Sequence, residues 1–185
     1  MKSMAEIRVA QPDRYQSVEV ASFAFFDIET TGLHPDRGAK ITEIAILPRS
    51  GQRFHWTQPE NDIGDKYLSE QLSAVLAHLT TGVVVGHNVG FDLRFIAYET
   101  ERLGFRGPDV LYIDTLGLAR NFCNNTKDYT LSSLLNAFDI SIKGPLHTAI
   151  VDARATRALF WKLINYGNIE TLAQAGMQRL NWSTF

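Results

Sequence analysis

Apolar positions run unbroken from Phe23 to Phe26 and return at Ile28 within "SFAFFDIETTG", residues 22–32. A run that is apolar at consecutive positions has both faces buried, so residues 22–28 are expected to form a central strand. "GAKITEIAILPR" and "QRFHWTQ" read as the next two strands, joined across "SG" as a hairpin. The period then changes. In "DKYLSEQLSAVLAHLT" the residues Leu68, Leu72, Val75, Leu76 and Leu79 recur at helical spacing. "GVVVGHN" is a fourth, buried strand, and "VGFDLRFIAYETERLGF" is a helix ending near Gly104. "DVLYIDT" is a fifth strand, followed by helices over about 115–122 and 130–138, and "ATRALFWKLINYG" closes a long helix at Gly167. Three hairpin-connected strands followed by strands alternating with helices predict a mixed five-stranded α/β sheet with helices on its faces. Residues 1–21 read as an N-terminal arm or a short edge element, 22–167 as the domain, and 168–185 as a short extra helix and tail.

The polar positions that break this pattern carry the chemistry. Asp27 and Glu29 end the most hydrophobic strand. Residues i and i+2 of a strand share a face, about 6–7 Å apart along the chain. Two carboxylates so placed repel, and one takes up a proton unless a cation lies between them. A divalent metal resolves the conflict, Mg2+ in particular, since it accepts one or two carboxylates and completes its shell with water and phosphate. Thr30, Thr31 and Gly32 then turn the chain, and backbone N–H groups exposed there suit an anion. Acidic residues at a strand end also simply mark turns, so this stretch alone leaves both readings open.

Two further stretches add to it. "GHNVGFDLRF", residues 86–95, leaves a buried strand and places Asp92 near a first helical turn, where an acid also complements the helix dipole. "PLHTAIVDARATRALF" sets Asp152 inside an apolar helical pattern, and a buried carboxylate without a partner is costly, which favours a ligand role. His147 lies five residues earlier, about 140° away on one helix, so the two converge only if His147 sits on the loop before the helix or at its frayed start.

"FDIETTG", then "HNVGFD", then "HTAIVDA", resemble in order the three exonuclease motifs of the DEDDh family. That group includes the proofreading epsilon subunits of bacterial DNA polymerase III and the epsilon-like exonucleases. "IDTLGLAR" and "YTLSSLLNAFDI" resemble its connecting segments, and the likeness covers about residues 22–165. The resemblance implies a ribonuclease-H-like fold and removal of nucleotides from a 3′ end as nucleoside 5′-monophosphates. By position it implies that Asp27, Glu29, Asp92 and Asp152 hold two divalent ions, Mg2+ or Mn2+, and that His147 is the general base. It implies that Ile28, Thr30, Thr31 and Leu33 line the terminal nucleotide's pocket, with His87, Asn88 and Phe91 nearby. Nucleic-acid 3′ ends are the implied partner, with a polymerase or another protein as a further one.

One departure stands out. Epsilon-like proteins carry a longer insertion between the third strand and the strand of the second motif, with a segment that packs on the terminal nucleotide. This chain has only "PENDIGDKYLSEQLSAVLAHL" there. "DIETT" also loosely resembles the nucleophile strand of the haloacid-dehalogenase-like phosphatases. That family places a second Asp where this chain has Glu29, and no later paired-acid motif follows. A non-catalytic module that binds nucleic-acid ends would have lost an acid or the histidine, and all five are present. DNA ends and RNA ends, proofreading, repair and trimming, and monomer and oligomer all fit these motifs.

Composition narrows the setting. The 185 residues suffice for one full core, and 45% hydrophobic with 21% charged residues is ordinary for a globular domain. Cys123 is the only cysteine, so no internal disulfide forms, which fits a reducing, cytoplasmic location. No apolar run is long enough to span a bilayer, and "MKSMAEIRVAQPDRYQ" is too polar for a signal peptide. The formal charge of −2 does not by itself suggest nucleic acid, but two bound divalent ions would turn it to +2. With 18 basic residues and no dense basic run, the expected grip on nucleic acid is weak and confined to a few terminal nucleotides.

Overall fold

The strand from Phe23 to Thr30, β1, lies third in a six-stranded sheet of order β3-β2-β1-β4-β5-β6. The structure is a computed structural model that describes residues 12–49, 52–59, 66–124 and 126–182. β2 (Ile41–Pro48) runs antiparallel to β1 and to β3 (Phe54–Thr57). β4 (Val83–Gly86) and β5 (Leu111–Asp114) run parallel to β1. β6 (Gln178–Arg179) closes the far edge antiparallel to β5. The sequence pattern predicts five strands. The sixth is two residues long and exposed, too short to leave a periodic signal. The "SG" hairpin turn and residues 60–65 of the shortened segment lie outside the described residues.

Helices cover both faces. The helices are α1 (Lys66–Leu79), α2 (Val89–Arg102), α3 (Thr115–Phe122), α4 (Leu131–Ala137) and α5 (Ala149–Tyr166). Alternation along β1 sorts its side chains. Phe23 and Phe25 enter the core with Leu159, Phe160 and Leu163 of α5, and the Phe23 and Phe160 rings meet edge-on with centroids 4.9 Å apart. Ala24, Phe26 and Ile28 enter the opposite core with Leu72 and Leu76 of α1 and Leu93 and Ile96 of α2. The next odd positions on the α5 face are Asp27 and Glu29, so the apolar stripe of that face continues directly into carboxylates. β4 passes to α2 through Gly86, where a Cβ would come within 2.5 Å of Val89 Cγ2 and 3.1 Å of the Phe26 carbonyl oxygen. Only glycine lets the second motif sit this close to β1.

The terminal segments correct the sequence reading. No α-helix forms in residues 168–182, where turns at 172–176 lead into β6 instead. Gly167 has an ordinary φ of −84°, and the left-handed residue after α5 is Asn168, φ 48°. Residues 12–21 do not project as an arm. Val18 N donates to the Glu170 oxygen at 2.9 Å, Leu172 N to Gln16 at 3.0 Å and Ala173 N to Arg14 at 2.7 Å. Val18, Ala21, Ile169, Leu172 and Ala175 are all buried in the α5-side core. Among the described residues no helix is long and apolar enough to cross a membrane.

Candidate active site

Three of the four acids singled out in the sequence converge. One carboxylate oxygen from each of Asp27, Glu29 and Asp152 lies within 4.8 Å of the others, and all three groups are partly buried. β1 supplies the first two by its two-residue period. A register shift between Glu29 and Thr30 ends the regular pairing with β2 just after them, as bulges beside functional sites often do. Asp152 arrives from the first turn of α5. Hard oxygen donors alone, with no sulfur or ring nitrogen among them, are the set that suits Mg2+ or Mn2+.

Asp92 is not in that trio. It is buried at 5% exposure in the first turn of α2, and its Oδ1 accepts the Ile28 N–H at 3.0 Å. That bond ties the second motif to the backbone of β1 between Asp27 and Glu29. Burial pushes the Asp92 carboxyl up to about 8, against the lowering effect of backbone hydrogen bonds from Ile28 and its own amide, with Asp114 and Glu29 adding to the rise. The Asp27 carboxyl is held well above the usual range by burial first, then by the charges of Asp92, Asp152, Glu29 and Glu43. Burial and neighbouring carboxylates likewise raise Glu29, which His147 partly offsets. Asp152 is raised by burial and Glu43, against the Asp152-lowering hydrogen bond and charge of His147.

These shifts share one sign and give a testable consequence. A carboxyl raised in the folded state keeps its proton where the unfolded chain has released it. Without divalent ions the domain should therefore lose stability as pH rises from about 4 to about 8, the window set by Asp92. A cation that replaces those protons should raise the Tm more at about pH 8 than at about pH 5.5. Thermal unfolding in EDTA and in Mg2+ at both pH values checks this. An equal or smaller gain at the higher pH would contradict the clustered-carboxylate account.

His147 sits on the loop before α5, the placement its spacing from Asp152 requires. Its φ of 72° is left-handed, uncommon for a residue with a side chain, and its N–H donates at 3.3 Å to both oxygens of Asp152. The turn aligns base candidate and carboxylate through the backbone and leaves the imidazole exposed.

The proposed pocket residues divide. The Thr30 hydroxyl donates to the Gly32 oxygen at 2.7 Å, and the Thr31 hydroxyl accepts from Lys40 N at 2.9 Å, so both shape the turn. Leu33 stands 67% exposed at its tip, with its carbonyl held by Arg94 Nη2 at 2.8 Å. Phe91 is half-buried beside Phe95 and under the Arg94 guanidinium. Asn88 is exposed in a left-handed conformation, φ 59°, and its side chain does not cap α2. Two of the expected contacts are turned elsewhere. The Ile28 side chain is buried on the opposite face of the sheet, so only its backbone borders the site. Both ring nitrogens of His87 are engaged, Nδ1 with the Thr115 hydroxyl and Nε2 with the Tyr129 carbonyl, each at 2.9 Å. Burial lowers its pKa, and the ring works as a brace between the end of β4, the start of α3 and Tyr129.

Sequence reasoning passed over three residues. Asp114 Oδ1 accepts from Asn88 N at 2.8 Å and from Leu116 N at 2.9 Å, so it fixes the turn that carries the second motif while capping α3. An acid closing a buried strand, the signal that marked Asp27, was present there too. Arg94 anchors Leu33. Glu43, on β2, is the residue opposite Glu29 and bonds to His55 of β3.

Residues 52–160, more than half of the chain, match the family described as RNase_T: Exonuclease. The chain belongs to that exonuclease family. The matched span carries Asp92, His147 and Asp152, while Asp27 and Glu29 precede it. A DNA polymerase III PolC-type of Listeria welshimeri is 28% identical over 178 residues, 85% of this chain and 12% of the relative. A 3′-5′ exonuclease DinG of Bacillus subtilis is 30% identical over 165 residues, 77% of this chain and 17% of the relative. The chain thus spans less than a fifth of the length of either. Among solved structures, cell-death related nuclease 4 aligns at TM-score 0.62 with 14% identity, over 89% of this chain and 82% of that one. Exonuclease X, solved with 5′ overhanging duplex DNA, aligns at TM-score 0.58 with 21% identity, over 83% and 98%. The fold is the ribonuclease-H-like one of these exonucleases.

Proposed function

We propose that this domain is a 3′-5′ exonuclease that hydrolyses single-stranded or frayed DNA ends to nucleoside 5′-monophosphates, using two divalent ions, Mg2+ or Mn2+. The convergence of Asp27, Glu29 and Asp152 within 4.8 Å, with His147 bonded to Asp152, carries the reading. Asp92 would complete the ligand set, since its buried carboxylate is held at the backbone of Ile28, between Asp27 and Glu29. Divalent ions bound by such carboxylates acidify water and offset charge at a scissile phosphate. The exposed His147 imidazole takes the proton of the attacking water, and its backbone bond to Asp152 keeps it beside the carboxylates. The chain need not supply a covalent nucleophile. Leu33 and Phe91 offer apolar surface to the terminal base, and Asn88 a polar side chain at the start of α2.

DNA is favoured over RNA because the similar proteins include a DNA polymerase and an exonuclease solved with duplex DNA. A polymerase or further domain that holds the substrate would supply the phosphate contacts that 18 basic against 20 acidic residues provide poorly, and the cytoplasm is the corresponding location. Oligonucleotides of DNA and RNA labelled at either end, and a closed single-stranded DNA circle, test the reading in Mg2+. Stepwise shortening of DNA from the 3′ end with the circle intact is expected. Rapid cutting of the circle would replace it with an endonuclease.

A further inference from the structure

We propose that Glu43 is an outer carboxylate of the cation centre, anchored by His55, and that this pair sets how tightly the Asp27–Glu29–Asp152 cluster takes a divalent ion. The inference rests on the metal-centre reading above.

The sheet register puts Glu43 there. Glu43 is paired with Glu29 across β1 and β2, and Asp27 with Ala45. Ala45 and Leu47 lie in the α5-side core, so Glu43, at the same parity, shares the face of Asp27 and Glu29. Like charges directly opposite one another on a sheet face oppose folding. The Glu43 side chain cannot escape this by turning to solvent, as it is only 14% exposed. His55 Nε2 lies 2.7 Å from its Oε1, which fixes the carboxylate on the sheet. His55 stands on the edge strand β3, diagonal to Glu43 and opposite Ala45, and is itself 38% exposed. An ordinary surface ion pair would have both partners in water and no bearing on the site. Here one partner, Glu43, lies on the cluster's own face of the sheet, directly opposite Glu29. A further negative charge on that face, held out of water, adds to the attraction a cation meets at the cluster. Mg2+ and Mn2+ sites keep several waters, and a carboxylate one layer out can hold those waters without touching the ion.

Mn2+ titration of the full chain by calorimetry, without nucleic acid, tests this in wild type, Glu43→Gln, His55→Ala and the double variant. Outer partners of this kind change metal affinity by about tenfold or more. Glu43→Gln keeps size and should weaken Mn2+ by about tenfold without lowering the Tm in EDTA, since it removes a repulsion. His55→Ala should weaken it less, and the double variant no more than Glu43→Gln alone, because His55 acts through Glu43. Glu43→Gln within twofold of wild type, or additive losses, would overturn the inference and leave the metal centre standing. Absence of Mn2+ binding by the wild type would overturn both.

Discussion

Asp27→Asn is expected to give a folded domain that has lost at least about 10³-fold of its cleavage rate, the several kcal/mol of transition-state stabilisation that metal ligation supplies. The expectation follows from position. Asp27 shares its face with Glu29, lies within the 4.8 Å cluster and feels four other carboxylates. Asparagine keeps the shape and removes the charge, so the cation is held by fewer anions. The same change relieves repulsion among the remaining acids. The variant should therefore melt at a higher temperature than wild type in EDTA, and at a relatively lower one once Mg2+ is added. Rate on a labelled oligonucleotide and Tm in both buffers are the readouts. A variant with wild-type activity would refute the ligand role. One that is inactive but melts far below wild type in EDTA would refute the repulsion account.

The second large effect concerns His147. Loss of a general base costs about 10²–10⁴-fold. His147→Gly is the informative change, because φ 72° is comfortable for glycine and the N–H that reaches Asp152 is retained. The variant should keep its Tm, its Mn2+ affinity and its KM while kcat falls by about 10²–10⁴-fold. His147→Ala should lose a similar factor in kcat but also some stability, since alanine pays for the left-handed turn. Glycine at this position with a rate within twofold of wild type would exclude the imidazole from proton transfer.

Much of the site was legible because it lies along single elements. The shared face of Asp27 and Glu29 follows from the period of one strand, and Asp152 from one helix. The five-residue offset of His147 from Asp152 demanded a loop, and the left-handed turn at His147 is how the chain meets that demand. What escaped depends on pieces far apart in sequence. Glu43 faces Glu29 only through the register of β1 against β2, which no local pattern encodes. His87 bonds to Tyr129, which lies 42 residues away, a partner that its neighbours in sequence do not reveal. Ile28 stands between two site residues in the chain and on the opposite side of the sheet from them in space. The terminal segments have weak periodicity because they are held by backbone bonds to each other rather than by an amphipathic face.

Residues 14–18 are stitched to residues 170–173, and Pro12 and Arg14 line one hollow with Met177 and with Gln178 and Arg179 of the last strand, so the path into the fold lies close to the path out of it. A unit whose entry and exit are neighbours behaves as a cassette, because a host polypeptide can accept it at a surface loop without being pulled open. The PolC-type and DinG relatives are several times longer than the stretch they share with this chain. Neighbouring ends are the geometry that such a host requires, and the latch that holds them together is made by the chain's own backbone.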